Sequence, residues 1–162
     1  MLKYEGAEAA QKEFDKPALE IAEALLDYGV KRRANIIYIQ SFSFDRTKQF
    51  LEKVKGKGYD MKAFHGVFTD ADNIAQRLKK REAETSRHFP LDEALERTAK
   101  FVDNWRGCKD LFSESNLWKN SNGDESKLVY QQNGGKGKVY DNSSYQYFIN
   151  IPREGLGEGK FL

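Results

Sequence analysis

Two short runs rich in β-branched and aromatic residues, 34–40 and 61–68, are each bracketed by stretches whose apolar residues recur at helical spacing. No other feature narrows the fold as much. Helices and strands that take turns along a chain predict parallel strands with helices crossing over the sheet faces. The first run, Ala34-Asn35-Ile36-Ile37-Tyr38-Ile39-Gln40, is apolar on successive residues, the pattern of a strand buried on both faces. Ahead of it, Ala18, Ile21, Ala22, Leu25 and Leu26 form one helical stripe against Glu20, Glu23 and Asp27, with Gly29 as a stop. Pro17 marks the first turn of this helix or a break from an earlier one over 6–16.

After the first run, Ser43 or Asp45 is placed to cap a helix reaching about Lys55, with Phe50, Leu51 and Val54 inward. Gly56-Lys57-Gly58-Tyr59 turns the chain into the second run, in which His65 reads as structural. A helix over 71–84 follows, with Ala71, Ile74, Ala75 and Leu78 on its inner face. Pro90 opens another, carrying Leu91, Ala94, Leu95, Thr98, Phe101 and Val102, interrupted at Gly107 and followed by a short helix near 109–113. The tail changes character. A turn cluster at 120–124 precedes two strands flanking Asn133-Gly134-Gly135-Lys136-Gly137, a β-hairpin signature, and 145–151 reads as a final strand before a Gly-rich end.

The 162 residues suffice for one domain with a core. An apolar share of 39% is low, but an aromatic share of 13% offsets it, because each ring buries a large area. Twenty-seven basic residues against 25 acidic leave a net charge of +2, too balanced for a generic nucleic-acid binder, though a local basic site is compatible with it. A single cysteine, Cys108, excludes a disulfide framework and a cysteine-based zinc site. With no apolar run near the ~20 residues of a membrane span and no signal-like start, a cytoplasmic protein without a membrane partner is the expectation.

Three segments carry chemical potential. Arg77 and Arg81, four apart, share a helix face, and Arg87 follows in the loop beside His88. Guanidinium forks of this kind suit phosphate oxygens, so the trio reads either as a lid that closes over a phosphoryl group or as a solvated face matched by Glu82 and Glu84. The Gly-rich stretch at 133–138 lacks GxxxxGK(S/T) spacing and a strand-then-helix frame, so it reads as a hairpin turn rather than a phosphate loop. Val139-Tyr140-Asp141-Asn142-Ser143 ends a strand, where α/β sheets place ligands, or else forms an Asx turn. No metal site is indicated.

Taken in order, these segments resemble the zeta-toxin family of P-loop kinases. The similarity runs through the helix at 18–25, the strand Asn35-Ile36-Ile37-Tyr38-Ile39, the Gly58-Tyr59 turn, Ile74–Arg81 with Thr85-Ser86-Arg87-His88-Phe89-Pro90, and Val139–Ser143. It implies an α/β three-layer fold with a mainly parallel sheet of P-loop-kinase type lacking its first (P-loop) strand, with a β-hairpin near the C-terminus. Residues 1–143 would be the C-terminal portion of that kinase domain, and 144–162 a strand and tail. The family transfers the ATP γ-phosphoryl, in characterised members to a UDP-activated amino sugar. By position, Arg77, Arg81 and Arg87 correspond to its catalytic lid arginines, and Asp141 and Asn142 lie near the nucleotide base.

The departures from the family are specific. GxxxxGK(S/T) is absent, Gln40-Ser41 stands at the strand end where the family often has Asp and Thr, and Ser86 replaces the usual Gly. Because such kinases work by positioning and charge stabilisation, arginines without the loop have no nucleotide to act on. ATP and Mg2+ are therefore expected only if a missing P-loop segment completes the site, from a P-loop-bearing partner chain or a homo-oligomer covering the open sheet edge. The chain alone is expected to be inactive. The alternative is a degenerate, non-catalytic binding or structural module derived from the same fold.

Overall fold

The computed structural model describes residues 4–44, 46–67, 71–85, 89–119 and 125–151. The chain divides into two compact bodies, Met1–Gln40 and Ser41–Leu162. The first contains one helix, α1, Tyr4–Lys31, with Pro17 inside it rather than at its start. Gly29 does not end it. The helix closes at Arg33, which adopts the left-handed conformation at φ 57, while Arg33 N–H donates to Val30 O at 3.2 Å and Ala34 N–H to Gly29 O at 3.0 Å. These paired bonds from the two residues beyond the last turn satisfy carbonyls that the helix leaves open. Leu26 and Val30 are buried, whereas Ile21 and Leu25 of the expected inner stripe lie exposed.

The strand expected at 34–40 is not part of the sheet, and Ile37 and Ile39 are 94% and 91% exposed. A run that is apolar on both sides needs neighbours on both faces to be buried, and periodicity cannot say whether those neighbours exist.

The second body holds a four-stranded sheet in the order β1-β2-β3-β4. Its strands are β1, Lys62–Val67; β2, Glu114–Lys119; β3, Lys127–Asn133; and β4, Lys136–Val139. Only β1 and β2 are parallel; β2–β3 and β3–β4 are antiparallel, so the sheet is mixed rather than mainly parallel. The cause is β2, a strand whose Glu-Ser-Asn-Leu-Trp-Lys sequence has no alternating apolar signature. The link from β2 to β3 spans 120–126, too short for the crossover that a parallel pairing needs, so the hairpin joins antiparallel. The hairpin itself is as expected. Gly134 and Gly135 both take positive φ, 53 and 80, as a two-residue type I′ turn requires.

Four helices complete this body among the described residues: α2, Thr47–Gly56; α3, Ala71–Thr85; α4, Leu91–Cys108; and α5, Asn142–Ile149. Helix α2 starts after Arg46 with no side-chain cap, so Ser43 does not serve as one, and its hydroxyl pairs with that of Ser41 at 2.7 Å; Asp45 lies outside the described residues. Helix α4 runs through Gly107, which extends its buried face to Trp105 and Cys108. The segment expected as a last strand is α5, because Asp141 caps it and Phe148, one turn from Tyr145, is buried. None of the described helices is long and apolar enough to cross a membrane.

Strand β1 alternates, with Ala63, His65 and Val67 buried and Lys62, Phe64 and Gly66 exposed. Against the buried face lie the aromatic rings of α4 and α5. Trp105 is 1% exposed and packs edge-on to Tyr130 at 5.4 Å and Phe148 at 5.7 Å, while its Nε1–H donates to Ser115 Oγ at 3.3 Å. Tyr130 stacks on Tyr145 at 5.2 Å, which holds its ring over Gly137. A Cβ at position 137 would come within 2.9 Å of ring carbons of Tyr130. His65 sits among Phe42, Phe101 and Phe112 at 4.8, 5.3 and 6.2 Å. Its Nε2 is buried without a hydrogen-bond partner.

Two stability effects follow. Burial lowers His65 to about 4 from 6.5, so the folded chain holds the imidazole neutral. The unfolded chain therefore binds more protons between these values, and stability is full above 6.5 and falls as the pH drops towards 4. The loss is on the order of 3 kcal/mol. Urea denaturation at stepped pH should show this slope in the wild type and its loss in His65→Phe. Gly137→Ala forces a methyl group into a ring that Tyr145 holds in place, and should lower stability by about 1–3 kcal/mol in the same assay.

Candidate functional site

Arg77 and Arg81 lie on α3, both exposed, one turn apart. Helix α3 packs against α4 and its Ile74 is buried, while Arg77 and Arg81, three and seven residues further along the same side of the helix, are exposed. Lys80 and Glu84 form an exposed pair on the same helix at 3.9 Å. Arg87 and His88 fall outside the described residues. The geometry thus gives two outward guanidinium groups on a regular helix.

Asp141 and Asn142 are at the start of α5, which packs on β3. Asp141 is an N-cap. Its carboxylate accepts from Ser144 N–H at 3.1 Å, Ser144 Oγ at 2.7 Å and Ser143 Oγ at 2.8 Å. These bonds, those from Ser144 first, lower its pKa to about 2, with a small contribution from Lys119. A carboxylate so engaged has little capacity left for a nucleotide or a metal. Asn142 is exposed beside it. The Asx-type reading of this segment describes its local geometry.

A site for Mg-ATP is not supported by the residues present. The Gly134-Gly135 turn leads into a strand rather than a helix, so its amides belong to a hairpin ladder and not to a phosphate cradle. Among the described residues no three His, Cys, Asp or Glu side chains converge as metal ligands. Cys108 is buried, and that burial raises its thiol pKa, the environment of an inert packing residue.

The sheet face opposite α4 and α5 carries a constellation that the sequence reading missed. One row crosses all four strands in register: Phe64 on β1, Asn116 on β2, Gln131 on β3 and Lys138 on β4. Phe64 is 66% exposed. Tyr140, 49% exposed just beyond β4, donates its hydroxyl to Gln131 Oε1 at 3.2 Å and lies under Lys138 Nζ at 4.7 Å. The neighbouring row joins Lys62 to Glu114, whose carboxylate also accepts from Asn116 Nδ2 at 2.8 Å; the two charges are 3.5 Å apart. The Asn116 bond, with Lys62, keeps Glu114 below its usual range. Asn116, in the middle of the first row, is buried, and its Oδ1 has no partner. Sequence offered one signal for this face, the alternation of β1. The partners on β2 and β3 could not be known without the pairing.

Removing the cap tests the role of Asp141. Asp141→Ala should cost about 0.5–2 kcal/mol. The wild type should lose this contribution as the pH falls from about 4 towards about 2, because its folded pKa is depressed. Thermal melts at pH 7 and pH 2.5 would check both: the gap between wild type and variant should be present at the higher pH and shrink at the lower.

Set beside known protein families, curated proteins and solved structures, the chain finds no match in any of the three comparisons.

Proposed function

We propose that this chain is the C-terminal portion of a zeta-toxin-like kinase domain that transfers no phosphoryl group by itself. The observation that carries the reading is the edge of the sheet. Among the described residues β1 is paired on one side only, with the parallel strand β2, and it follows a helix, as a strand beside a missing parallel neighbour would. The run 34–40, with Ile37 and Ile39 exposed, is not one of the four strands of the sheet. In the three-layer kinase arrangement a P-loop strand occupies a central position, and its absence leaves an open edge of this kind. Arg77, Arg81 and Arg87 are then lid arginines in origin, and ATP with Mg2+ belongs to the completed assembly, whether completed by a P-loop-bearing chain or by an oligomer.

A second reading is favoured by one observation. The three-layer arrangement would lay helices over the face that carries Phe64; beside the apolar row Gly66, Trp118 and Leu128, that face has two rows that are largely polar. Burying Gln131, Lys138, Lys62 and Glu114 under an apolar helix is costly. A degenerate module that uses this face for binding avoids that cost.

The test is direct. Purified chain incubated with Mg-ATP and nucleotide-sugar acceptors should transfer no radiolabelled phosphate above a heat-denatured control. Transfer that is abolished in Arg77→Ala and Arg81→Ala would overturn the reading of an inactive chain.

A further inference from the structure

We infer that the open face of the sheet binds single-stranded nucleic acid. The inference rests on the binding-module reading and names its ligand. Phe64 and Tyr140 stand at opposite ends of the cross-sheet row, and the Tyr140 amide donates to Val129 O at 2.9 Å, which keeps it on the line of β4. Three strand spacings separate the two rings, roughly 14 Å. One base cannot reach both, so a strand presenting successive bases fits and a mononucleotide does not. Between the rings Gln131 holds the Tyr140 hydroxyl on its Oε1 and hydrogen-bonds Glu114, which fixes the Tyr140 ring in place, and Lys138 lies beside that ring.

Charge completes the match. On this face β4 carries Lys136 and Lys138, with no acidic residue from 127 to 140, and the nearby Glu114 is matched by Lys62. The near-neutral whole chain conceals this local excess. Exposed aromatic rings on a sheet with lysines beside them are the physical recipe for stacking unpaired bases while the backbone phosphates follow the lysines. A duplex has its bases stacked inside and offers the rings nothing. A protein partner would have to bury the same amides and ammonium groups without matching them.

The experiment is fluorescence anisotropy of the full chain with labelled 15-nucleotide single-stranded RNA and DNA, the matching duplex, and unlabelled UMP as competitor. Single strands should bind more tightly than the duplex, and UMP should compete only weakly. Phe64→Ala and Tyr140→Ala should each weaken binding by about 5- to 100-fold, the range of one lost base–aromatic stack. Phe64→Tyr should retain it. Lys138→Ala should flatten the salt dependence by about 0.7 in log–log slope, the value for one phosphate on a single strand. Circular dichroism melts identify any variant that fails to fold, and Tyr140→Ala, beyond the last strand, keeps the test open if Phe64→Ala is one. Absence of saturable binding, equal affinity for the duplex, a UMP affinity equal to that of the strand, or folded alanine variants that bind like wild type would each overturn the proposal. ATP-dependent transfer would sink the inactive-chain reading without changing these affinities, so the two failures are separable.

Discussion

Trp105 is the contact on which the rest of the second body depends. Its indole reaches β3 through Tyr130, α5 through Phe148 and β2 through the bond to Ser115. These are three separate elements that follow α4 in the chain, joined by one buried ring. In a chain with a low apolar share, aromatic area per residue is what makes such a core sufficient. The stack of Tyr130 on Tyr145 and the close passage over Gly137 extend the same packing to the end of the hairpin. His65 belongs to the neighbouring cluster of Phe42, Phe101 and Phe112, and its neutrality is a consequence of that packing, not a functional setting.

Because this packing occupies one face of the sheet, the other face acquires a different chemistry. Period-2 alternation sends every second residue of β1 away from the rings, and pairing carries the same face across to β4. The result is a polar and aromatic row rather than a second apolar layer. The open edge of β1 and the polar face thus pull in different directions. The edge looks like a place for a missing strand, and the face looks like a place for a ligand. The binding-module reading reconciles them without asking polar rows to be buried.

Much of the fold was legible along the chain. The strand at 61–68, the helix at 71–84, the start of α4 at Pro90 and the hairpin at Gly134-Gly135 all follow from local signals: alternation, helical spacing, proline and paired glycines. The failures also have local causes. β2 was invisible because Ser115 and Asn116 are buried polar residues, and their burial is set by neighbours rather than by their own hydropathy. The segment 145–151 reads as a strand by itself, but a cap at Asp141, four residues before the run, decides for helix. The run at 34–40 was read as buried from hydropathy that is real but finds no place in the sheet.

The candidate site divides in the same way. Sequence by itself determined which residues could meet phosphate: Arg77 and Arg81 share a face because a helix repeats every 3.6 residues, and that holds wherever the helix sits. It also determined that a phosphate cradle is missing, since that depends on contiguous glycines and a lysine. Only the tertiary structure decided that Asp141 is consumed as a cap, that β1 is the outer strand of the sheet among the described residues, and that Phe64, Asn116, Gln131 and Lys138 form one row. The reason is physical. Register and sheet order are set by contacts between residues tens of positions apart, and no local pattern encodes which distant strand a residue will face.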